Sequence, residues 1–243
     1  MADADARDFT GNRLLDGLPA HDYRLISEYL SGISYKRGSS LYESGDDVSQ
    51  VFFPTEGVVS ILTVMSGGAT VETAAIGREG LVGVTCGPMN GRAVSRAVAQ
   101  TDGTAACLDI ARFHAALAES AEIRRALSYY TESLFVQVQQ TAACNALHNL
   151  EARLARWLLT FADRGGGGRL NMTQEDLAEI LGVRRATISE VSAGLEKPGL
   201  IRRGRGSIEI VDRRRLEVKA CECYRTLRAI AGKLEAAVHG HED

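Results

Sequence analysis

Proline is scarce in this 243-residue chain, at four residues, and so is lysine, at four against 24 arginines; aromatic residues make up 6% and tryptophan occurs once. With 45% hydrophobic and 24% charged residues, a composition so poor in proline excludes a disordered chain and a coiled-coil rod. No apolar run approaches the roughly 20 residues that a membrane-spanning helix requires. The opening stretch MADADARDFT is acidic and polar, the wrong chemistry for a signal peptide, so the cytosol is the expected compartment. Cysteine is sparse and odd in number, at positions 86, 107, 144, 221 and 223, which suits a reducing compartment better than a disulfide framework. Between Ser34 and Ile110 there is no histidine, which argues against a metal-dependent β-barrel enzyme, whose ligands converge from strands. Nucleophile-elbow, Walker and dinucleotide fingerprints are also missing, and no enzymatic activity is expected.

What is present is a composition that folds: 45% hydrophobic and 24% charged residues, enough for one large domain or two modest ones. The net charge of −3 is unevenly spread. Through His148 there are 17 acidic and 11 basic residues, and from Asn149 onward 14 acidic and 17 basic. Arg184 to Arg215 alone holds nine basic and four acidic residues. A second half of opposite sign, its charge almost all arginine, points to an anionic partner, and nucleic acid fits best.

Residues 12 to 32 have helical spacing interrupted by Gly17 and Pro19, which predicts short helices. From about Ser34 to Ile110, runs rich in Val, Ile, Phe and Thr (VFF, VVSILTV, TVETAAI, LVGV, RAVAQ, AACLDI) alternate with glycine. Short strands at that spacing predict an antiparallel roll or sandwich. From Ser120 to His148 neither proline nor glycine occurs, which predicts one helix of about eight turns. Ile123, Leu127, Tyr130, Leu134, Thr141 and Cys144 fall on a heptad seam. Two readings fit that seam: a helix packed along its own sandwich, or a dimer interface, which the length of the helix favours. Asn149 is the expected hinge to a second domain.

The strongest signal is TQEDLAEILGVRRATISEVSAGLE, Thr173 to Glu196. Thr173 is a natural N-cap with Asp176 to complete a capping box. Leu177, Ala178 and Leu181 give a first helix its inner face, Gly182 takes the sharp turn, and Ile188, Val191 and Leu195 line a second helix. Outward from that second helix stand Arg184, Arg185, Ala186, Ser189 and Glu190, placed to read base edges in a major groove. LIRRGRGSIEIV then reads as two strands about a Gly-Arg-Gly turn, a basic wing carrying Arg202, Arg203 and Arg205 toward phosphates, together with Thr173 and Gln174.

In this order, the segments resemble the Crp/Fnr family of bacterial transcription regulators over nearly the whole chain. NRLLDGLP, GSSLYESGD, VFFPTEGVVSIL and IGREGLVGV resemble its β-roll sensor domain, the long helix its dimerisation helix, and Thr173 to Val211 its winged helix. The resemblance implies an α+β protein: an N-terminal antiparallel, jelly-roll-like β-roll sensor domain at 1–118, a long dimerisation helix at 119–148, and a winged helix–turn–helix with a C-terminal helix at 149–243. It implies a homodimer on a twofold-symmetric double-stranded DNA site, with RNA polymerase as a further partner and no membrane.

The effector region departs from the family pattern. Glu79, Gly80, Leu81, Gly83, Ser95 and Arg96 are the pocket candidates, yet Leu81 stands where cyclic-nucleotide-binding members carry Glu, and Ser95-Arg96 reverses their Arg-Ser pair. Cyclic AMP is therefore not expected to bind. Iron–sulfur and haem cofactors are not expected either, since no cysteine precedes Cys86 and the two histidines on the β-roll side, His21 and His114, lie outside the strands. On the recognition helix the family's Arg-Glu-x-x-x-Arg survives only as Arg185, with Ala186 and Glu190 at the other positions, so the half-site should differ. Glu190 also supports an alternative, a sensor-fold protein that has lost DNA binding and acts through protein partners.

Cys221-Glu-Cys223 falls in one predicted helix, DRRRLEVKACECYRTLRAIAGKL. Residues two apart on a helix face different ways, so these thiols are read as small core residues and no metal is expected. Cys144 on the seam is read likewise as a buried small hydrophobe, with an inter-subunit disulfide as the alternative.

Overall fold

A computed structural model describes residues 11–84, 92–165 and 167–239. Cys86 lies outside them. Two short helices, α1 (Arg13–Asp16) and α2 (Ala20–Ser27), lead into a roll of seven strands: β1 (Ser31–Tyr35), β2 (Ser40–Tyr42), β3 (Gln50–Glu56), β4 (Val59–Val64), β5 (Thr70–Ile76), β6 (Arg96–Ala99) and β7 (Gly103–Asp109). They form two antiparallel sheets, ordered β1-β7-β3 and β2-β6-β4-β5. The period of two explains how both faces of a sheet are buried. On β3 and β7, Phe52, Ala105 and Cys107 face the roll interior with Val59, Ala97 and Ala99. The alternate residues Val51, Phe53, Ala106 and Leu108 pack outward against Leu14, Leu15, Ile26 and Phe113. Asn12, fully buried, caps α1 and donates from Nδ2 to the carbonyls of Pro54 and Gly80, both at 2.9 Å. Of the expected strands only LVGV fails to become one; Val82 makes a single bridge to Phe52.

Helix α3 (Ile110–Glu119) precedes α4 (Ala121–Leu147), which has the length expected of a stretch without glycine or proline. Ser120 caps α4, accepting from the Ile123 amide and donating to Asp22 at 2.6 Å. The heptad seam, however, faces this chain's own structure. Ile123 and Tyr130 are buried in the core beside α1 and β3, with Leu127 and Leu134 packed against it. Thr141 is buried, and Cys144 sits in a small cluster with Cys221 and Cys223. Four of the six seam residues, Ile123, Tyr130, Thr141 and Cys144, are thus buried within the chain itself, while Leu127 and Leu134 stay partly exposed. A 3.5-residue repeat records that a helix face is covered, without recording by what.

Beyond Asn149 come α5 (Leu150–Gly165), β8 (Arg169–Leu170), α6 (Gln174–Leu181), α7 (Arg185–Glu196), β9 (Ile201–Gly204), β10 (Ser207–Ile210), α8 (Arg213–Lys219) and α9 (Cys223–His239). The wing sheet runs β8-β10-β9. The carboxy-terminal region is two helices rather than the single one expected. Ala220 ends α8 in extended conformation, and Cys221 lies between the helices. The argument that the two thiols must diverge therefore does not hold.

Helix α5 joins the halves. Leu154, Trp157, Leu158 and Phe161 form one core with Leu177, Ile188 and Leu195 of the helix pair and with Val58 and Ala75 of the roll. Inside it, Trp157 Nε1 donates to Glu72 Oε1 at 2.8 Å, and Ser60 donates to the other carboxylate oxygen. Burial pushes the Glu72 carboxyl above its ordinary range. Trp157→Phe leaves that oxygen without its donor and should cost about 1–3 kcal/mol in a denaturant melt. Because the folded-state value is raised, the stability Glu72 contributes is full at acid pH and lost as pH climbs through that value. Glu72→Gln should remove this decline, so that the variant gains on wild type between acid and neutral pH. Parallel stability–pH curves for the two proteins would contradict the assignment.

Candidate nucleic-acid interface

The reading helix is set by local chemistry. Thr173 accepts from the Asp176 amide at 3.1 Å while the Asp176 carboxylate accepts from the Thr173 amide at 2.6 Å, a closed capping box that starts α6. Gly182 turns the chain at φ +65°, and α7 follows after Arg184. Ile188, Ser192 and Leu195 point inward. Arg184, Arg185, Ala186 and Glu190 are exposed on the opposite side, and Arg185 lies 3.7 Å from Glu175. Thr187, Ala193 and Lys197 share that exposure and were missed, although the inner positions 188, 192 and 195 imply them.

The other predicted contacts divide. Arg205, at the wing tip beside Gly206, is exposed and makes no ion pair among the described residues. Arg202 is exposed and spans the hairpin to Glu209 at 3.0 Å. Arg203 is committed elsewhere. Its guanidinium lies 2.6 Å from Glu196, its amide donates to the same carboxylate, and Nη1 reaches the Ser189 carbonyl. These bonds hold the Glu196 carboxyl below its ordinary range. Arg203 thus fastens the wing to α7, and Ser189 is half-buried beneath it. Thr173 is occupied with its cap; Gln174 lines the groove between α6 and the wing with Arg185 and Gly206.

Two family models match in tandem: a cyclic nucleotide-binding domain over residues 33–120 and a Crp-like helix-turn-helix domain over residues 152–218. The chain belongs to the Crp/Fnr family. It is a DNA-binding transcription regulator, not an enzyme. It is 23% identical over 207 residues to the cyclic AMP receptor protein of Thermus thermophilus, covering 85% of this chain and 96% of that one. The CRP-like cAMP-activated global transcriptional regulator of Mycobacterium tuberculosis is 24% identical over 224 residues, with the same shares covered. A solved crp/fnr-family regulator from Eubacterium rectale superposes with a TM-score of 0.68 at 20% identity, over 85% of this chain and 96% of that chain.

The effector candidates of this Crp/Fnr chain do not line one pocket. Gly80 leaves no room for a Cβ, which would meet Tyr130 and Ile76 at 2.8 Å, and the Tyr130 hydroxyl donates to the Leu81 carbonyl at 2.7 Å. Leu81 is buried in the α4 core, and Gly83 sits at φ +99° against Gln50 and Val51. Glu79 accepts from Arg164 of α5 at 2.6 Å. It lines a cleft of about 520 Å³ between roll, α5 and α9. Ser95 is buried, while Arg96 turns toward the helix pair, 3.0 Å from Glu43 and 3.8 Å from Glu179 of α6. Arg37 likewise pairs with Asp176. So α6 rests on β5, with Gly182 in contact distance of Val71.

Arg185→Ala should relax base preference at one position of the half-site by about 1–3 kcal/mol. Arg205→Ala should weaken all duplexes alike and reduce the salt slope by about one. Arg203→Ala should instead lower the melting temperature by loosening the wing. Competition binding at several salt concentrations, with thermal melts, checks all three.

Proposed function

We propose that this regulator acts as a homodimer that reads a twofold-symmetric promoter site, with RNA polymerase as its partner there, and that its roll senses a ligand other than cyclic AMP. The observation that carries the dimer is the solvent face of α4. With one face used on this chain's own core, the other still exposes Phe135 at 60% and Val138 at 36%, continued by Ala142 and Ala146 at helical spacing. An apolar stripe on a 27-residue helix suits the same stripe of a second copy, packed about a twofold axis. That axis would set two α7 helices into successive major grooves.

Against cyclic AMP stand the buried Leu81, the Arg164-bound Glu79 and an Arg96 turned to α6. Sensing finds support in the ion pairs Arg37–Asp176 and Arg96–Glu179, which fix α6 to the roll and would transmit any rearrangement of the strands.

Phe135→Glu should convert the dimer to a folded monomer in sedimentation velocity and abolish retention of a palindromic duplex. Selection from random duplexes should return half-sites about one helical turn apart. A monomeric wild type, or single half-sites, would contradict the dimer. Arg37→Ala with Arg96→Ala should shift DNA affinity by roughly two- to fivefold, the scale of two exposed ion pairs; unchanged affinity would remove them from the signal path.

A further inference from the structure

We propose that Cys144, His148, Cys221 and Cys223 form a binding site for a single thiolate-preferring divalent metal ion of the zinc class. Their ligand atoms, three sulfurs and one ring nitrogen, all lie within 4.8 Å of one another. Cys144 Sγ is 3.5 Å from Cys221 Sγ, and Cys223 Sγ is 3.5 Å from His148 Nδ1. Metal–sulfur bonds of about 2.3 Å in a tetrahedron set ligand atoms roughly 3.8 Å apart, so this spacing fits one ion. A four-iron cluster, with each thiolate on its own iron, would need a wider set.

Three elements of the backbone bring the donors together. Cys144 and His148 are one turn apart at the end of α4, hence on one face. Cys221 precedes α9 and Cys223 opens it, so the bend after Ala220 turns both thiols inward. All three cysteines are buried. Small apolar filler would explain buried sulfur but not the groups around it. His148 Nε2 lies 3.2 Å from the Glu222 carboxylate, which fixes the ring with Nε2 as donor and leaves the Nδ1 lone pair toward the thiols. Gln140 Nε2 donates to Cys223 Sγ at 3.0 Å. Arg156, 5% exposed, leaves its Nε without a hydrogen-bond acceptor, as does the half-buried Arg153, whose Nη2 donates to the Leu181 carbonyl. Three thiolates and a neutral imidazole on a divalent ion carry one net negative charge, the sign that complements these two guanidiniums beside the thiols. The ion would clip the end of α4 to the start of α9, beside the Asn149 hinge.

The test uses the full chain, purified reduced from zinc-supplemented medium and assayed for metal content. About one zinc per chain is expected. Cobalt added to the stripped protein should give the strong visible absorption of a tetrahedral thiolate site. Cys223→Ser and His148→Ala should abolish that spectrum at stoichiometric cobalt, and Glu222→Gln should weaken affinity by roughly 10- to 100-fold. Cys107→Ser, whose thiol lies in the roll core, should leave it intact. Circular dichroism establishes that each variant folds; if Cys223→Ser does not, His148→Ala and Glu222→Gln decide. A folded wild type with free thiols and no metal would overturn the proposal. So would a Cys144–Cys221 disulfide, an iron–sulfur chromophore, or undiminished cobalt binding in both Cys223→Ser and His148→Ala.

Discussion

The hydrogen bond from Trp157 to Glu72 is the constraint on which the arrangement of the two halves depends. A buried carboxyl is tolerated only where its oxygens are satisfied, and here one donor comes from the roll and the other from α5. Displacing α5 would leave Glu72 unsatisfied in an apolar core. The cost of that keeps the helix pair in register with β5, since α7 packs on the same α5 while α6 rests on β5 itself. Arg164, two turns beyond Trp157, repeats the link by binding both Glu79 of the roll and Gln137 of α4. One helix is thereby tied to the roll, the long helix and the reading head together.

Much of this was legible in the sequence, where the deciding physics is local. The start of α4 follows from the Ser120 cap and its unbroken course from the absence of glycine and proline, and the turn at Gly182 from the capping box nine residues before it and the inward apolar positions around it. The wing follows from Gly204 and Gly206. What was illegible depended on partners distant in sequence. The seam of Ile123, Tyr130 and Cys144 has the period of a dimer helix, yet a roll on one side and α9 on the other satisfy the same period. Gly80 reads as a ligand-holding glycine, but it is needed for the approach of Tyr130, 50 residues away in sequence. Arg203 reads as a phosphate contact until Glu196 is placed beside it. The break between α8 and α9 carries neither glycine nor proline, so nothing local marks the bend that brings Cys221 and Cys223 together.

The distribution of arginine also acquires a meaning that composition alone does not give. Several of the basic residues in the second half are spent inside the molecule: Arg203 on Glu196, Arg213 on Asp163 and Glu217, Arg164 on Glu79. Four of those left outward, Arg184, Arg185, Arg202 and Arg205, stand at the start of α7 and on the wing, and Arg214, Arg225 and Arg228 are exposed on α8 and α9. A planar, permanently charged fork serves both purposes, bidentate inside and base- or phosphate-directed outside. The charge that faces DNA is therefore only the part of it that α7 and the wing carry.

The junction at His148 and Asn149 concentrates these constraints. His148 ends α4 in extended conformation, Asn149 accepts from the Ala152 amide to start α5, and Glu222 holds the His148 ring from the carboxy-terminal region. The rotation of α5 relative to α4 is thus fixed within two residues, at a point where the long helix, the shared helix and the last helix all meet. A small change of angle there is carried along α5 to Trp157 on one side and to α7 on the other. In the proposed dimer, a junction with two stable states would alter the spacing of the two reading helices without unfolding any core.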